Sequence, residues 1–138
     1  MSNPAVVDTS VIVAGFLSGR GAAGYLLSAF FHDRLQLAYT GEILSEYADV
    51  LERTKFAGVI MPEDRAALIL KLNIAGFRVQ PAPVPAARWP DLDDVPFVAA
   101  ALATERKIIV TLNSKDFAPA VALGVRVLSP SEARLALL

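Results

Sequence analysis

Carboxylates standing where a parallel sheet would expose them are the side chains of this 138-residue chain with the most chemistry to offer. Asp8 follows the short β-branched run Ala5-Val6-Val7, Asp93 and Asp94 open an Ala-rich apolar stretch, and Asn113 and Asp116 follow Ile108-Ile109-Val110-Thr111. In open parallel sheets the functional crevice lies beyond the carboxyl ends of the strands, so these residues are expected along one rim. On a helical wheel over 42–53, Glu46 falls beside the apolar stripe, near Ile43 and Val50, whereas Glu42 and Asp49 turn outward. Asp94 shares a helix face with Phe97, Val98 and Ala101 at spacings of three, four and seven. Each acid also has an ordinary structural use. Asp8 serves equally well as a helix cap, Asp93 and Asp94 as first-turn charges, Glu46 as a solvated helix residue and Asp116 as a loop acid. Only their coincidence on one rim carries weight.

Four carboxylates in one cleft repel one another, and few stay ionised without a compensating cation. With no cysteine and a single histidine, His32, the chain has neither the thiolates nor the imidazoles of a structural zinc site. Any metal must be held by oxygen, which favours Mg²⁺ or Mn²⁺, and such sites activate water for in-line attack on a phosphodiester.

The elements that must position these residues read as alternating strands and helices. Strands are expected at Ala5-Val6-Val7, 35–39, 77–80, 108–110 and 125–128. Helices are expected over 11–17, 22–31, 42–53 capped by Thr40, 62–74, 93–105 with Asp93 able to cap it, and from Ser129-Pro130-Ser131-Glu132 onward. The run from Pro81 to Pro90 reads as a loop or edge segment, and the stretch to Pro119 as broken chain. This alternation predicts a three-layer α/β/α sandwich with a central parallel sheet, as one domain over 1–138. A hydrophobic content of 54% against 20% charged residues supplies a sizeable core and argues against disorder. No apolar run reaches the ~18 residues of a membrane span, and Met1-Ser2-Asn3-Pro4 starts no leader, so a cytoplasmic protein without a membrane partner is expected.

Four segments together resemble the PIN-domain ribonucleases, especially the VapC-like toxins of toxin–antitoxin pairs. They are Val6-Val7-Asp8-Thr9-Ser10-Val11, Gly41-Glu42-Ile43-Leu44-Ser45-Glu46-Tyr47 followed by Val50-Leu51, Asp91-Leu92-Asp93-Asp94-Val95-Pro96-Phe97, and Ile109-Val110-Thr111-Leu112-Asn113-Ser114-Lys115-Asp116-Phe117. The resemblance implies a PIN-like fold and a Mg²⁺- or Mn²⁺-dependent endoribonuclease. Its metal and catalytic acids fall on Asp8, Glu46, Asp94 and Asp116, with Thr9, Ser10 and Thr111 as supporting hydroxyls. Many relatives carry an acid where this chain has Asn113, which is left as a neutral ligand or a water-orienting group. The resemblance further implies an RNA substrate, an antitoxin protein as partner, and self-association as a homodimer or higher oligomer. Phe56, Val59, Ile60 and Met61 around Gly58 form the apolar group that such association would cover.

Other readings meet obstacles. Gly19-Arg20-Gly21-Ala22-Ala23-Gly24 spells a dinucleotide fingerprint, but a helix separates it from the first strand, so it reads as a turn between helices. A Mg²⁺-dependent receiver domain needs an acid pair after the first strand, which is not visible. An isolated His32 without nucleophile-elbow glycines leaves no serine hydrolase, and His32 reads as a helix-end residue. A catalytically inactive PIN-like binding module remains the main alternative. Setting the four acids aside leaves 13 basic against 10 acidic residues, a surface suited to an anionic substrate. Arg20, Arg34, Arg53, Lys55, Arg88, Lys107 and Lys115 are candidates to meet phosphates. Trp89, beside Pro90, reads as a loop anchor before a base-stacking residue.

Overall fold

A computed structural model describes residues 4–138. The reading of Met1, Ser2 and Asn3 as leaderless falls outside them. Five strands form one all-parallel sheet: β1 (Ala5–Val7), β2 (Leu37–Tyr39), β3 (Phe77–Arg78), β4 (Ile108–Val110) and β5 (Arg126–Leu128). Their order is β3-β2-β1-β4-β5, with Val6 opposite Ala38 on one side and Ile109 on the other. β1 is therefore central, and its end lies midway along the rim. Seven helices complete a three-layer α/β/α arrangement among the described residues: α1 (Thr9–Leu17), α2 (Ala22–Phe31), α3 (Gly41–Leu51), α4 (Pro62–Ala75), α5 (Val95–Leu102), α6 (Ala118–Val121) and α7 (Pro130–Leu137).

The three inner strands consist of residues buried on both faces, as expected of a covered parallel sheet. α5 packs on β1, β2 and β4, α3 packs on α1, α4 and α5, and α7 packs on α2 and β5. Tyr47 of α3 is fully buried, stacks at 6.4 Å from the Phe97 ring of α5, and donates its hydroxyl to the Val7 carbonyl. That bond ties α3 to the last residue before Asp8. Burial, then the Asp8 and Glu46 charges, push the Tyr47 phenol well above its ordinary range, so it remains a donor.

Several boundaries differ from expectation for local reasons. α1 begins at Thr9, two residues early, and Asp8 makes no side-chain capping bond, so the cap reading of Asp8 is corrected. α3 does cap on Thr40, whose hydroxyl accepts from the Ile43 amide, but stops at Leu51 because the chain tightens into a 3-10 turn over Thr54–Phe56. The expected helix over 93–105 is instead a 3-10 turn over Leu92–Asp94 followed by α5. Its cap is Asp91, whose side chain accepts from the Asp93 amide, which corrects the assignment of that role to Asp93. α5 ends early because Thr104 bonds back to the Ala101 carbonyl and accepts from the Lys107 amide, turning the chain into β4. The stretch before Pro119 is also more regular than expected, with a 3-10 turn over Ser114–Phe117 running into α6.

Of the glycines in the literal fingerprint, Gly24 serves helix packing, whereas a Cβ on Gly19 or Gly21 would meet nothing within 4 Å, as a turn between helices allows. A Cβ on Gly24 would lie 2.5 Å from the Ser18 carbonyl oxygen, and one on Gly15 would lie 3.1 Å from that of Ala23. α1 and α2 therefore cross closely, bent by 95°, and among the described residues no single helix is long and apolar enough to cross a membrane. Trp89 is half-buried against the core. The expected apolar group around Gly58 divides: Ile60 is buried and Phe56 packs on the core, while Val59 and Met61 stay exposed.

Candidate active site

The Asp8 amide donates to the Val110 carbonyl at 2.9 Å, extending the β1–β4 pairing by one residue and fixing Asp8 at the corner of the sheet. The residue is only 6% exposed. Its Oδ2 accepts from the Thr111 hydroxyl at 2.7 Å and from the Ser10 hydroxyl at 2.9 Å. No described donor reaches Oδ1, so one carboxylate oxygen is held and the other is left available. Thr111 in turn accepts from the Asn113 amide at 2.9 Å, which sets the course of the chain leaving β4. Thr9, the first residue of α1, donates its hydroxyl to the Glu46 carboxylate. Thr9, Ser10 and Thr111 thus join three elements to two acids.

Glu46 lies on α3 between the buried Ile43 and Tyr47 and the half-buried Val50. Burial raises its pKa, the Thr9 bond opposes that, Asp8 and Asp93 raise it further, and Arg53 draws it down. Asp94, at the end of the 3-10 turn, is pushed up to about 7, first by burial and then by the charges of Asp8, Asp91, Asp116 and Glu46. Carboxylates from four parts of the chain therefore act on one another at a single place, although 38 residues separate the first two and 22 the last two of the expected acids. Asp116 sits half-buried in the turn after Asn113, within electrostatic reach of Asp94. Asn113 is exposed, and its side chain makes no capping bond.

A trough of about 430 Å³ opens beside these acids, lined by Thr9, Ser10, Glu46, Asp91, Asp93 and Asp94 together with Arg53, Lys55 and Phe56. Asp8 and Asp116 are not part of this lining. Asp91 was singled out by neither periodicity nor strand position. Its signal was the Asp-x-Asp spacing of a side chain bonding the amide two residues on. Of the seven cations expected near phosphates, Arg53 and Lys55 line the trough and the other five do not.

The donor set fits a hard divalent cation: carboxylates, hydroxyls and an amide, without thiolate or imidazole. The mutual repulsion at Asp94 is what such a cation relieves. Among the described residues, no group of three or more acidic or imidazole side chains is gathered closely enough to hold an ion as they stand. The acids are neighbours whose carboxylates do not yet converge on one point.

An all-parallel α/β/α sheet with acids grouped at the carboxyl end of its central strand defines the class. Within it the particular assignment follows from sequence: the PIN domain family profile matches residues 4–115, and the chain belongs to that family. PIN domains are generally metal-dependent nucleases, typically use divalent metals, bind RNA and often pair with antitoxins. No curated protein and no solved structure matches the chain.

Proposed function

We propose that this PIN domain is a Mg²⁺- or Mn²⁺-dependent endoribonuclease, with Asp8, Glu46, Asp94 and Asp116 as its metal-holding and catalytic acids. The observation carrying this is the mutual charge of four carboxylates around Asp94, an arrangement whose cost a bound cation removes. Asp8, fixed by Thr111 and Ser10, offers its free oxygen from the sheet corner, while Glu46, held by Thr9, approaches from the middle of α3 and Asp94 from the start of α5. A divalent ion there supplies Lewis-acid stabilisation of a phosphodiester and an activated water. Asp8 orients, Glu46 and Asp94 complete the anionic pocket, and Asp116 adds charge. Asn113, exposed in the adjoining turn, is read as a neutral oxygen ligand or a water-orienting group.

The finer reading is a VapC-like toxin, a single domain of residues 1–138 that acts in the cytoplasm as a homodimer or higher oligomer and is inhibited by an antitoxin. Exposed Val59 and Met61 are the surface that self-association would cover. Incubating the purified protein with defined RNAs, with and without Mg²⁺ or Mn²⁺, tests the nuclease reading: metal-dependent internal cuts support it, and intact RNA refutes it. Co-expression with the neighbouring open reading frame tests the toxin reading, since a complex with suppressed cleavage is expected. A monomeric mass by light scattering at high concentration refutes the homodimer.

One observation favours a second reading, an inactive PIN-like binding module: among the described residues the carboxylates are not gathered into a ready metal cluster. Calorimetric titration with Mn²⁺ separates the two. Heat of binding that disappears in Asp8→Asn favours the enzyme, and absence of binding favours the module.

A further inference from the structure

The trough has two chemical walls. The turn before α5 and the Glu46 face of α3 contribute carboxylates. Arg53, just after α3 and immediately before the 3-10 turn, and Lys55 and Phe56 within that turn contribute two cations and an aromatic ring. The two ion pairs among the described residues, Arg65–Glu52 and Lys71–Asp33, lie elsewhere, so neither Arg53 nor Lys55 is neutralised by a partner. Arg53 is near enough to Glu46 to draw its carboxyl down, without bonding to it. Lys55 holds its ammonium 5.1 Å from the centroid of the Phe56 ring, a cation–π contact that keeps the charge at the trough.

We propose that Arg53, Lys55 and Phe56 form the substrate-holding wall of this trough: the two cations grip backbone phosphates beside the cleavage point, and the Phe56 ring takes an unstacked base of single-stranded RNA. The inference rests on the nuclease reading above and adds to it the residues that select and orient the strand. The physical need is plain. A phosphate entering this trough is repelled by Glu46, Asp91, Asp93 and Asp94 and attracted only by Arg53 and Lys55, the two cations in its lining. Two unpaired cations at one end give the anion an entry and a direction, setting the strand across the trough with its next phosphate toward the carboxylates. An aromatic ring beside basic side chains is the arrangement by which unpaired bases are held without sequence readout. A duplex keeps its bases stacked and cannot present one to Phe56, so the wall selects single strands. The volume of about 430 Å³ lies within the ~300–1,000 Å³ typical of sites for small organic groups.

The test uses the full chain and a fluorescently labelled short single-stranded RNA, with binding read by anisotropy over a range of salt concentrations in Ca²⁺ buffer. Arg53→Gln/Lys55→Gln should weaken binding by about 10- to 100-fold and make the slope of log affinity against log salt shallower by about 1.4, the value for two lost contacts to a single strand. Phe56→Leu should weaken single-strand binding several-fold, with the salt slope kept and duplex binding unchanged. Arg106→Gln/Arg126→Gln, just before β4 and at the start of β5 and so away from the carboxyl ends of the strands, removes the same charge and should leave affinity near wild type. Circular dichroism checks that each variant is folded. Equal affinity and slope for wild type and Arg53→Gln/Lys55→Gln would overturn the proposal, as would absence of RNA binding by the wild type. A metal-dependent cleavage assay run alongside separates the two readings. Binding lost in the double variant with no cleavage by any protein leaves the wall standing and removes the nuclease. Cleavage by wild type with binding untouched in the double variant does the reverse.

Discussion

At the corner where β1 meets β4, the Asp8 carboxylate receives two hydroxyl hydrogen bonds and its backbone is paired into the sheet. At the turn before α5, Asp94 caps nothing with its side chain, receives no described hydrogen bond and is surrounded by other carboxylates. The first region is ordered by its own bonds. The second is held in place by the fold while its charges oppose each other. On the proposed nuclease reading, such a pairing would give one fixed ligand, Asp8, which would set where an ion sits, and one adaptable group, Asp94, whose charge the ion would complete. On the same reading, the bonds that would draw these acids together are those to a cation, in keeping with the absence of a ready cluster among the described residues.

The largest effect should come from removing the fixed ligand. Asp8→Asn keeps the shape and the backbone pairing, so it should fold, yet lower metal-dependent RNA cleavage by about 10³-fold. Cleavage near the wild-type rate by folded Asp8→Asn protein would show that the ordered corner is structural and not functional.

Next in size is the contrast within the turn itself. Asp94→Asn should lower cleavage by about 10²-fold, because Asp94 carries the charge load of the site. Asp93→Asn should cost less than about threefold, since Asp93 is exposed and the cap belongs to Asp91. Steady-state rates decide it, and the reverse order would misplace the adaptable half.

A smaller effect tests why the corner is rigid. Thr111 is 1% exposed, and its hydroxyl both donates to Asp8 and accepts from the Asn113 amide. Thr111→Val keeps the volume and strands a buried acceptor and a donor, so urea denaturation should show a loss of about 1–3 kcal/mol. Ser10→Ala touches the same oxygen from a half-buried position and should cost less. Equal losses would mean that the network is not centred on Thr111.

The two regions were not equally legible in sequence. β1, β4 and α2 have the boundaries expected of them, because apolar runs and Gly breaks declare them within a few residues. The placement of Glu46 on α3 followed from helical periodicity, which is also local. The turn over 91–94 was misread because Asp91, Asp93 and Asp94 are all good first-turn acids, and only the amide that Asp91 captures separates cap from ligand. Arg53 and Lys55 could not be told from the other surface cations, since what distinguishes them is where the chain turns after Leu51. Contacts closed over long sequence separations, such as Thr111 to Asp8, leave no periodic trace in either partner.

The smallest predicted effect concerns the stability of the metal-free protein and its dependence on pH. Asp94 has a folded-state pKa of about 7, raised from an ordinary 3.8, so the folded chain holds this proton more tightly than the unfolded chain. Between those values the unfolded chain has lost the proton and the folded chain has kept it. Stability is then lost as pH rises from about 4 to about 7, and it levels off above. The full contribution is present below the unfolded value and gone above the folded one. Since the group is partly exposed, solvent screening reduces the effect to about 1–2 kcal/mol. Asp94→Asn removes the charge without removing the side chain, so it should stabilise the metal-free protein by about that amount at pH 8 and by almost nothing near pH 4. Urea denaturation of both proteins in chelator at the two pH values measures this directly. A gain that is the same at both would mean that packing, not charge, separates the turn from the corner.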